Sequence, residues 1–128
     1  MITASKPTVF VLDDDPAIQD SLSALLQTMN LPAEFFSTVS EFLDVYDPSR
    51  PGCLLLDLRL PGNGIELLKR MENSQSSLPI IVITGHGDRE TKAKAIQLGA
   101  LELFEKPVDV QRLCECIRKA VEPKTETS

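Results

Sequence analysis

Tryptophan is absent from the sequence, so intrinsic tryptophan fluorescence offers no probe of this chain. Cysteine is scarce: Cys53, Cys114 and Cys116 are an odd number with no paired framework. The C-x-C spacing at 114 and 116 invites a metal-site reading, but residues two apart on a predicted helix point in different directions. No ligand cluster joins them, and they read as small buried hydrophobes, which suits a reducing cytoplasm. Long apolar runs are missing as well; none approaches the ~20 residues that span a bilayer. The apolar run after Lys6 ends in acid, so it does not read as a signal peptide. Basic clusters are also lacking. Net charge is -6 and the pI is near 4.7, and an acidic surface repels phosphate backbones and anionic membranes. We therefore expect no direct nucleic-acid binding by this domain, no membrane association and a cytoplasmic location. Internal repeats and low-complexity segments do not occur.

What the sequence does contain is ordinary globular material, 42% hydrophobic and 25% charged, enough for one domain with a continuous core. Short β-rich runs appear at Thr8–Leu12, Ala33–Phe36, Cys53–Leu56, Pro79–Thr84 and Leu101–Phe104. Helical spacing lies between them. Ile18, Leu22, Leu25, Leu26 and Met29 form one helix face, and Leu113, Ile117, Ala120 and Val121 another. Thr38 followed by Glu41 is a capping-box pattern; Asp88 and Asp109 stand at N-cap positions, and Gly99 stands where a helix C′ glycine belongs. Asp15 before Pro16 also reads as an N-cap, because proline suits the first helical position and pushes its predecessor towards extended geometry. Five β-α repeats imply an α/β fold whose parallel sheet is covered on both faces. The folded domain is expected over residues 1–122, with 123–128 a polar tail or the start of a linker.

In an open parallel sheet, ligands gather at the carboxyl ends of the strands. Asp13, Asp14 and Asp15 follow the first predicted strand, Asp57 the third, and Lys106 the fifth; Thr84 ends the fourth. Two carboxylates ~5 Å apart at an effective dielectric near 20 repel by roughly 3 kcal/mol, so such a rim calls for a cation. All-oxygen ligands favour Mg²⁺, and Mg²⁺ with a lysine and a hydroxyl suits phosphoryl oxygens. The residues read together as phosphoryl transfer onto an aspartate. Taken singly they have plainer readings. An aspartate run can serve a helix N-terminus, Thr84 can be a structural hydroxyl, Lys106 a surface charge, and His86 a loop residue between two glycines. Their joint placement carries the functional reading.

At these residues the sequence resembles the receiver domains of two-component response regulators, over about Lys6 to Val121. "VFVLDDD", "LLLDLRLP", "IVITGHGD" and "FEKP" occur in family order and spacing, and look closest to receivers of the nitrogen-fixation-regulator type. The resemblance implies a flavodoxin-like (βα)5 fold, doubly wound, with strand order 2-1-3-4-5. It implies that Asp57 is phosphorylated by a sensor histidine kinase, and that Asp13 and Asp14, with Asp57 and the backbone carbonyl of Arg59, hold Mg²⁺. Thr84 and Lys106 would bind the phosphoryl group. Gly85 matches a position kept small so that the site stays open, and Lys106–Pro107 matches the family's cis peptide bond. Arg59 and His86 occupy positions that tune phosphoryl hydrolysis. Such a domain is no conventional enzyme, yet it catalyses its own phosphorylation and often its dephosphorylation. It shifts its helix-four, strand-five and helix-five face to control an attached or separate output, here expected to be transcription regulation; phosphorylation-dependent homodimerisation stays open. Two departures stand out: the Pro61–Gly64 loop is one residue short, and Leu103 replaces the aromatic residue that often swings inward on activation.

Two other readings compete. A haloacid-dehalogenase-like phosphatase would use Asp13 as nucleophile, but it leaves Asp57 unexplained and expects a Thr or Val where Ala17 stands. A docking module that is never phosphorylated would have no need of the full set of acids, hydroxyl and lysine.

Overall fold

Thr8–Leu12 (β1), Gly52–Asp57 (β3) and Ile80–Thr84 (β4) are almost wholly buried, as strands covered on both faces must be. They form the centre of a five-stranded parallel sheet in the order β2-β1-β3-β4-β5, with β2 at Ala33–Phe36 and β5 at Glu102–Glu105 on the edges. The computed structural model describes residues 7–60, 64–73, 78–85 and 89–122. Four helices connect the strands, α1 (Pro16–Thr28), α2 (Val39–Val45), α3 (Gly64–Asn73) and α4 (Arg89–Gln97), and α5 (Val110–Val121) follows β5. Among the described residues, no helix is long and apolar enough to cross a membrane. The expected fold and strand order are therefore those observed.

Because side chains alternate along a strand, each central strand feeds two separate cores. Phe10, Leu12, Leu54, Leu56 and Val82 pack with Phe42 of α2 and Leu67, Leu68 and Met71 of α3. Val9, Val11, Leu55, Ile81 and Ile83 pack on the other face with Leu22 and Leu26 of α1 and Leu113 and Ile117 of α5. Each such side chain contributes roughly 1.5–3 kcal/mol on burial, so the strand ends are held by both layers at once. Leu103 and Phe104 divide the same way, Leu103 against the first core and Phe104 in the second.

The local signals set the loop geometry. Asp15 caps α1, accepting from the Ala17 N–H at 3.0 Å, and Asp109 caps α5 through the N–H groups of Gln111 and Arg112. Thr38 accepts from the Glu41 N–H at 3.1 Å; the Glu41 carboxylate reaches back one residue further than a capping box predicts, to the Ser37 N–H at 2.8 Å. Gly99, at φ 98°, ends α4 with its own N–H on the Ile96 carbonyl and that of Ala100 on Ala95, the paired bonds of a Schellman end. Three strands differ from the expected runs: β3 is one residue longer at each end, Gly52–Asp57; β4 starts one residue late, at Ile80; and β5 is shifted one residue later, to Glu102–Glu105. The expected cap at Asp88, most of the shortened loop, His86 and the 123–128 tail lie outside the described residues.

Gly52 opens β3 at φ 144°, opposite Thr8, and a Cβ there would run into the Thr8 carbonyl oxygen. Glycine is required for this approach. The next residue, Cys53, is fully buried, and burial pushes its thiol from 9.0 up to about 12. A thiol raised on folding supports stability below its ordinary range, and that support is lost as pH climbs through the interval between the two values. Cys53 should accordingly resist alkylation by iodoacetamide in the native chain at mildly alkaline pH and react once urea unfolds it. Mass mapping that finds native Cys53 modified as fast as in urea would contradict this account.

Candidate functional site

The sheet's strand order reverses between β1 and β3, and the chemistry-bearing residues collect at the carboxyl ends of those strands and their neighbours. Asp13 follows β1 directly and is 1% exposed; Asp57 is the last residue of β3 and is 4% exposed; Thr84 ends β4 and is buried. Asp14 is exposed. One carboxylate oxygen from each of Asp13, Asp14 and Asp57 lies within 4.8 Å of the others. The sequence-expected set is thus brought to one place, with Lys106 reaching it from the end of β5.

Lys106 faces three acids. Its ammonium donates to Asp57 Oδ2 at 3.1 Å, and stands 3.3 Å from Asp13 Oδ2 and 4.0 Å from Asp15 Oδ2. Its backbone N–H donates to the Thr84 carbonyl at 2.8 Å, so β4 and β5 stay joined up to the site. The Lys106–Pro107 bond is cis, as the resemblance implied. Burial pulls the ammonium's pKa down, but the hydrogen bond from Lys106 to Asp57 and the charges of Asp57 and Asp13 outweigh it, and the net shift is upward. Asp13 shows the opposite balance. Burial raises its pKa and the Asp57 charge raises it further, against lowering by the Asp15 N–H and Lys106. One lysine gains from the acids around it but does not fully compensate them.

The loop holding Asp13 is over-determined. Its N–H donates to the Phe36 carbonyl at 3.3 Å, its Oδ1 accepts from the Asp15 N–H at 3.0 Å, and its carbonyl accepts from Gln19 Nε2 at 2.7 Å. Only Oδ2 is left. That oxygen is buried and accepts no hydrogen bond, although Lys106 is at ion-pair distance. A buried carboxylate oxygen without a bond is expensive, and a hard cation held by oxygen donors would satisfy it. Asp13, Asp14 and Asp57 therefore fit a divalent ion such as Mg²⁺.

Around Asp57, the Arg59 N–H donates to Oδ1 at 2.9 Å while Lys106 takes Oδ2. The acceptor carboxylate is fixed by a donor on each oxygen. The Arg59 side chain passes close to Gly85, directly after Thr84, with its Nη1 where a Cβ on Gly85 would stand. Two contributors were not marked by sequence pattern. Gln19 resembles any polar residue in the first turn of a helix, and its aim at the Asp13 carbonyl depends on the fold. Asp15 reads as a cap, and it is one, yet its second oxygen also faces Lys106.

Beside Lys106, a groove of about 450 Å³ opens between α1 and the start of α5, floored by Ile18, Leu22, Ile83, Val110 and Leu113. Lys92 of α4 pairs with Glu105 of β5 at 2.5 Å, and Ile96 of α4 and Leu101, just before β5, are left half-exposed.

Comparison with known proteins places these features in context. A family model for the response regulator receiver domain matches residues 9–118. The transcriptional regulatory protein FixJ of Bradyrhizobium diazoefficiens is 42% identical over 118 residues, covering 91% of this chain and 58% of FixJ. The response regulator protein TodT of Pseudomonas putida F1 is 39% identical over 114 residues, 88% of this chain and 50% of TodT. The solved structure of the response regulator StyR superposes with a TM-score of 0.84 at 39% identity, covering 91% of this chain and 60% of that one. The chain thus spans about half to three-fifths of the length of these relatives.

Proposed function

Because the chain belongs to the response regulator receiver domain family, we propose that it is a phosphorylation-driven switch whose acceptor is Asp57. The observation that carries this reading is the buried Asp57 carboxylate, held from both sides and sharing one site with Asp13, Asp14 and Lys106. In the step itself an Asp57 oxygen attacks the phosphorus of a phosphohistidine. The new O–P bond forms as the P–N bond breaks, and the imidazole leaves with the electron pair and takes up a proton. Asp13, Asp14 and Asp57, with the Arg59 carbonyl, would hold Mg²⁺, which when bound would supply charge neutralisation for the anionic phosphoryl group. Lys106 shifts from carboxylate to phosphoryl oxygens, and the Thr84 hydroxyl donates to another. Arg59 and His86 set the lifetime of the product.

The donor is a sensor histidine kinase, and the apolar groove beside Lys106 gives a protein donor a surface next to the acceptor. The output face is the α4–β5–α5 side, where the Lys92–Glu105 pair and the exposed Ile96 and Leu101 lie. With Leu103 packed on the core in place of a mobile ring, the signal travels through the segment after Thr84. Moving a two-state element from 1:99 to 99:1 takes about 5.5 kcal/mol, within reach of a few charge-assisted hydrogen bonds of ~1.5–3 kcal/mol each. The attached or separate output regulates transcription in the cytoplasm. Intact-mass analysis after incubation with acetyl phosphate and Mg²⁺ should find one phosphoryl adduct, mapped to Asp57. An adduct on Asp13 would support the phosphatase reading, and no adduct would leave only a docking module.

A further inference from the structure

Asp13, Asp14 and Asp15 form the whole connection between the end of β1 and the start of α1. The carbonyl of Asp13 lies past the sheet ladder and short of the helix, where backbone donors run out. Pro16 has no N–H, and the N–H of Ala17 is taken by the Asp15 side chain. Among the described residues, no backbone N–H reaches that carbonyl. The half-buried Gln19 supplies the donor instead. Its Nε2 stands 2.7 Å from the Asp13 carbonyl oxygen, at the short end of the range for N–H···O bonds. A carbonyl only accepts, so the Gln19 amide is fixed with its nitrogen towards the connection.

Gln19 holds this segment twice. Its own backbone N–H donates to the Asp15 carbonyl at 3.0 Å, the bond that opens the helix ladder at the cap residue. One residue thus grips Asp13 with its side chain and Asp15 with its main chain, and Asp14 is carried between them. On the sheet side, the Asp13 N–H donates to the Phe36 carbonyl of β2 at 3.3 Å. Asp13 is therefore tied to the sheet by its N–H and to α1 by its carbonyl. With both ends held, its buried Oδ2, which accepts no hydrogen bond, keeps its place beside Asp14 and Asp57. Asp14 is exposed, and its carboxylate starts from a backbone whose path Gln19 sets.

We propose that Gln19 is a positioning residue for the divalent ion, acting through the Asp13 carbonyl to hold Asp13 and Asp14 at the spacing the ion needs. This rests on Asp13, Asp14 and Asp57 being the ligand set, and it requires no transfer to Asp57. Groups that orient a metal ligand without touching the metal typically carry ~10–100-fold of the affinity. Gln19 works one step further back, through the ligand's backbone, so removing its amide should cost roughly tenfold, the low end of that range. A merely structural Gln19, holding the start of α1 and nothing more, gives a less stable chain with unchanged ion affinity.

The test compares wild type with Gln19→Met and Ala24→Gly. Methionine keeps the length of the side chain and removes the donor. Ala24 is exposed in the middle of α1, where glycine weakens the helix without touching the β1–α1 connection. Circular dichroism melts confirm that each chain is folded. Isothermal titration calorimetry of each metal-free chain with MgCl₂, at constant ionic strength, reads binding with no phosphodonor present. Gln19→Met should bind Mg²⁺ about tenfold more weakly, while Ala24→Gly should keep the wild-type affinity. Labelling by acetyl phosphate over a range of Mg²⁺ concentrations supplies a second readout. For Gln19→Met the half-saturating Mg²⁺ should rise by the same factor, and the rate at saturating Mg²⁺ should hold. Wild-type affinity in Gln19→Met overturns the proposal, as does an equal loss in Ala24→Gly, which would make the effect one of helix stability. So does a lower saturating rate with the half-saturating concentration unmoved. A wild type that binds no Mg²⁺ overturns the ligand set and the proposal with it. A wild type that shows these binding contrasts but takes no phosphoryl group overturns the acceptor reading alone.

Discussion

Asp57→Asn is expected to take up no phosphoryl group from acetyl phosphate and Mg²⁺, while Asp13→Asn should keep its acceptor but label roughly a hundredfold more slowly. The amide at position 57 has no carboxylate oxygen to attack with, so that loss is complete. Asp13 contributes differently. Its Oδ2 is the buried oxygen without a hydrogen bond, and its backbone is pinned by Phe36, Asp15 and Gln19. Asp14 brings a second carboxylate to the site but is exposed, so it does not replace this buried oxygen. Losing a primary ligand costs more than the ~10–100-fold typical of a supporting group, so the upper end of that range is a floor for this variant. Stability should move the other way. Burial and Asp57 both raise the pKa of Asp13, which means its charged form is disfavoured by the fold; asparagine removes that disadvantage. Metal-free Asp13→Asn should therefore melt above metal-free wild type. Mg²⁺ should raise the wild-type midpoint, with a gain of ~2.7 kcal/mol at a hundred times the dissociation constant, and leave Asp13→Asn nearly unmoved. Equal Mg²⁺ shifts in the two chains, or equal labelling rates, would remove Asp13 from the metal site.

Much of this site could be read in advance because parallel sheets make position meaningful. Once β1, β3, β4 and β5 are recognised as strands of one parallel sheet, the residues at their carboxyl ends must share a rim, and Asp13, Asp57, Thr84 and Lys106 follow without side-chain detail. The three consecutive aspartates were separable for the same reason: Pro16 marks a helix start, and Asp15 caps it. What stayed out of reach depends on rotamers and loop paths. Gln19 bends back to the Asp13 carbonyl, Arg59 crosses to Gly85, and Asp15 turns its spare oxygen to Lys106. No periodicity encodes these choices. The displaced capping bond at Ser37 is a smaller case, in which a long glutamate side chain finds the next N–H along.

Lys106→Met should destabilise the metal-free chain by roughly 2–3 kcal/mol, and Mg²⁺ should recover most of that loss. Removing one partner of a buried ion pair costs about 3–5 kcal/mol because the other charge is stranded; the lower figure follows from the 23% exposure that the lysine side chain retains. Here two buried acids are stranded together, Asp13 and Asp57, at 3.3 and 3.1 Å from the missing ammonium. A divalent cation held by the same oxygens replaces the lost charge, so the gain on adding Mg²⁺ should be larger in the variant than in wild type. The pH dependence separates this from a packing defect. The pKa of Lys106 is raised on folding, so its contribution is complete below the ordinary lysine range and is lost only as pH climbs through the raised value. The deficit should thus be constant from neutral to mildly alkaline pH and shrink only under strongly alkaline conditions. Urea unfolding with and without Mg²⁺ measures all of this. A deficit that ignores Mg²⁺ would mean that Lys106 acts through its methylene stem against the groove beside Val108, Val110 and Leu113, and that its charge does not hold the acidic site together.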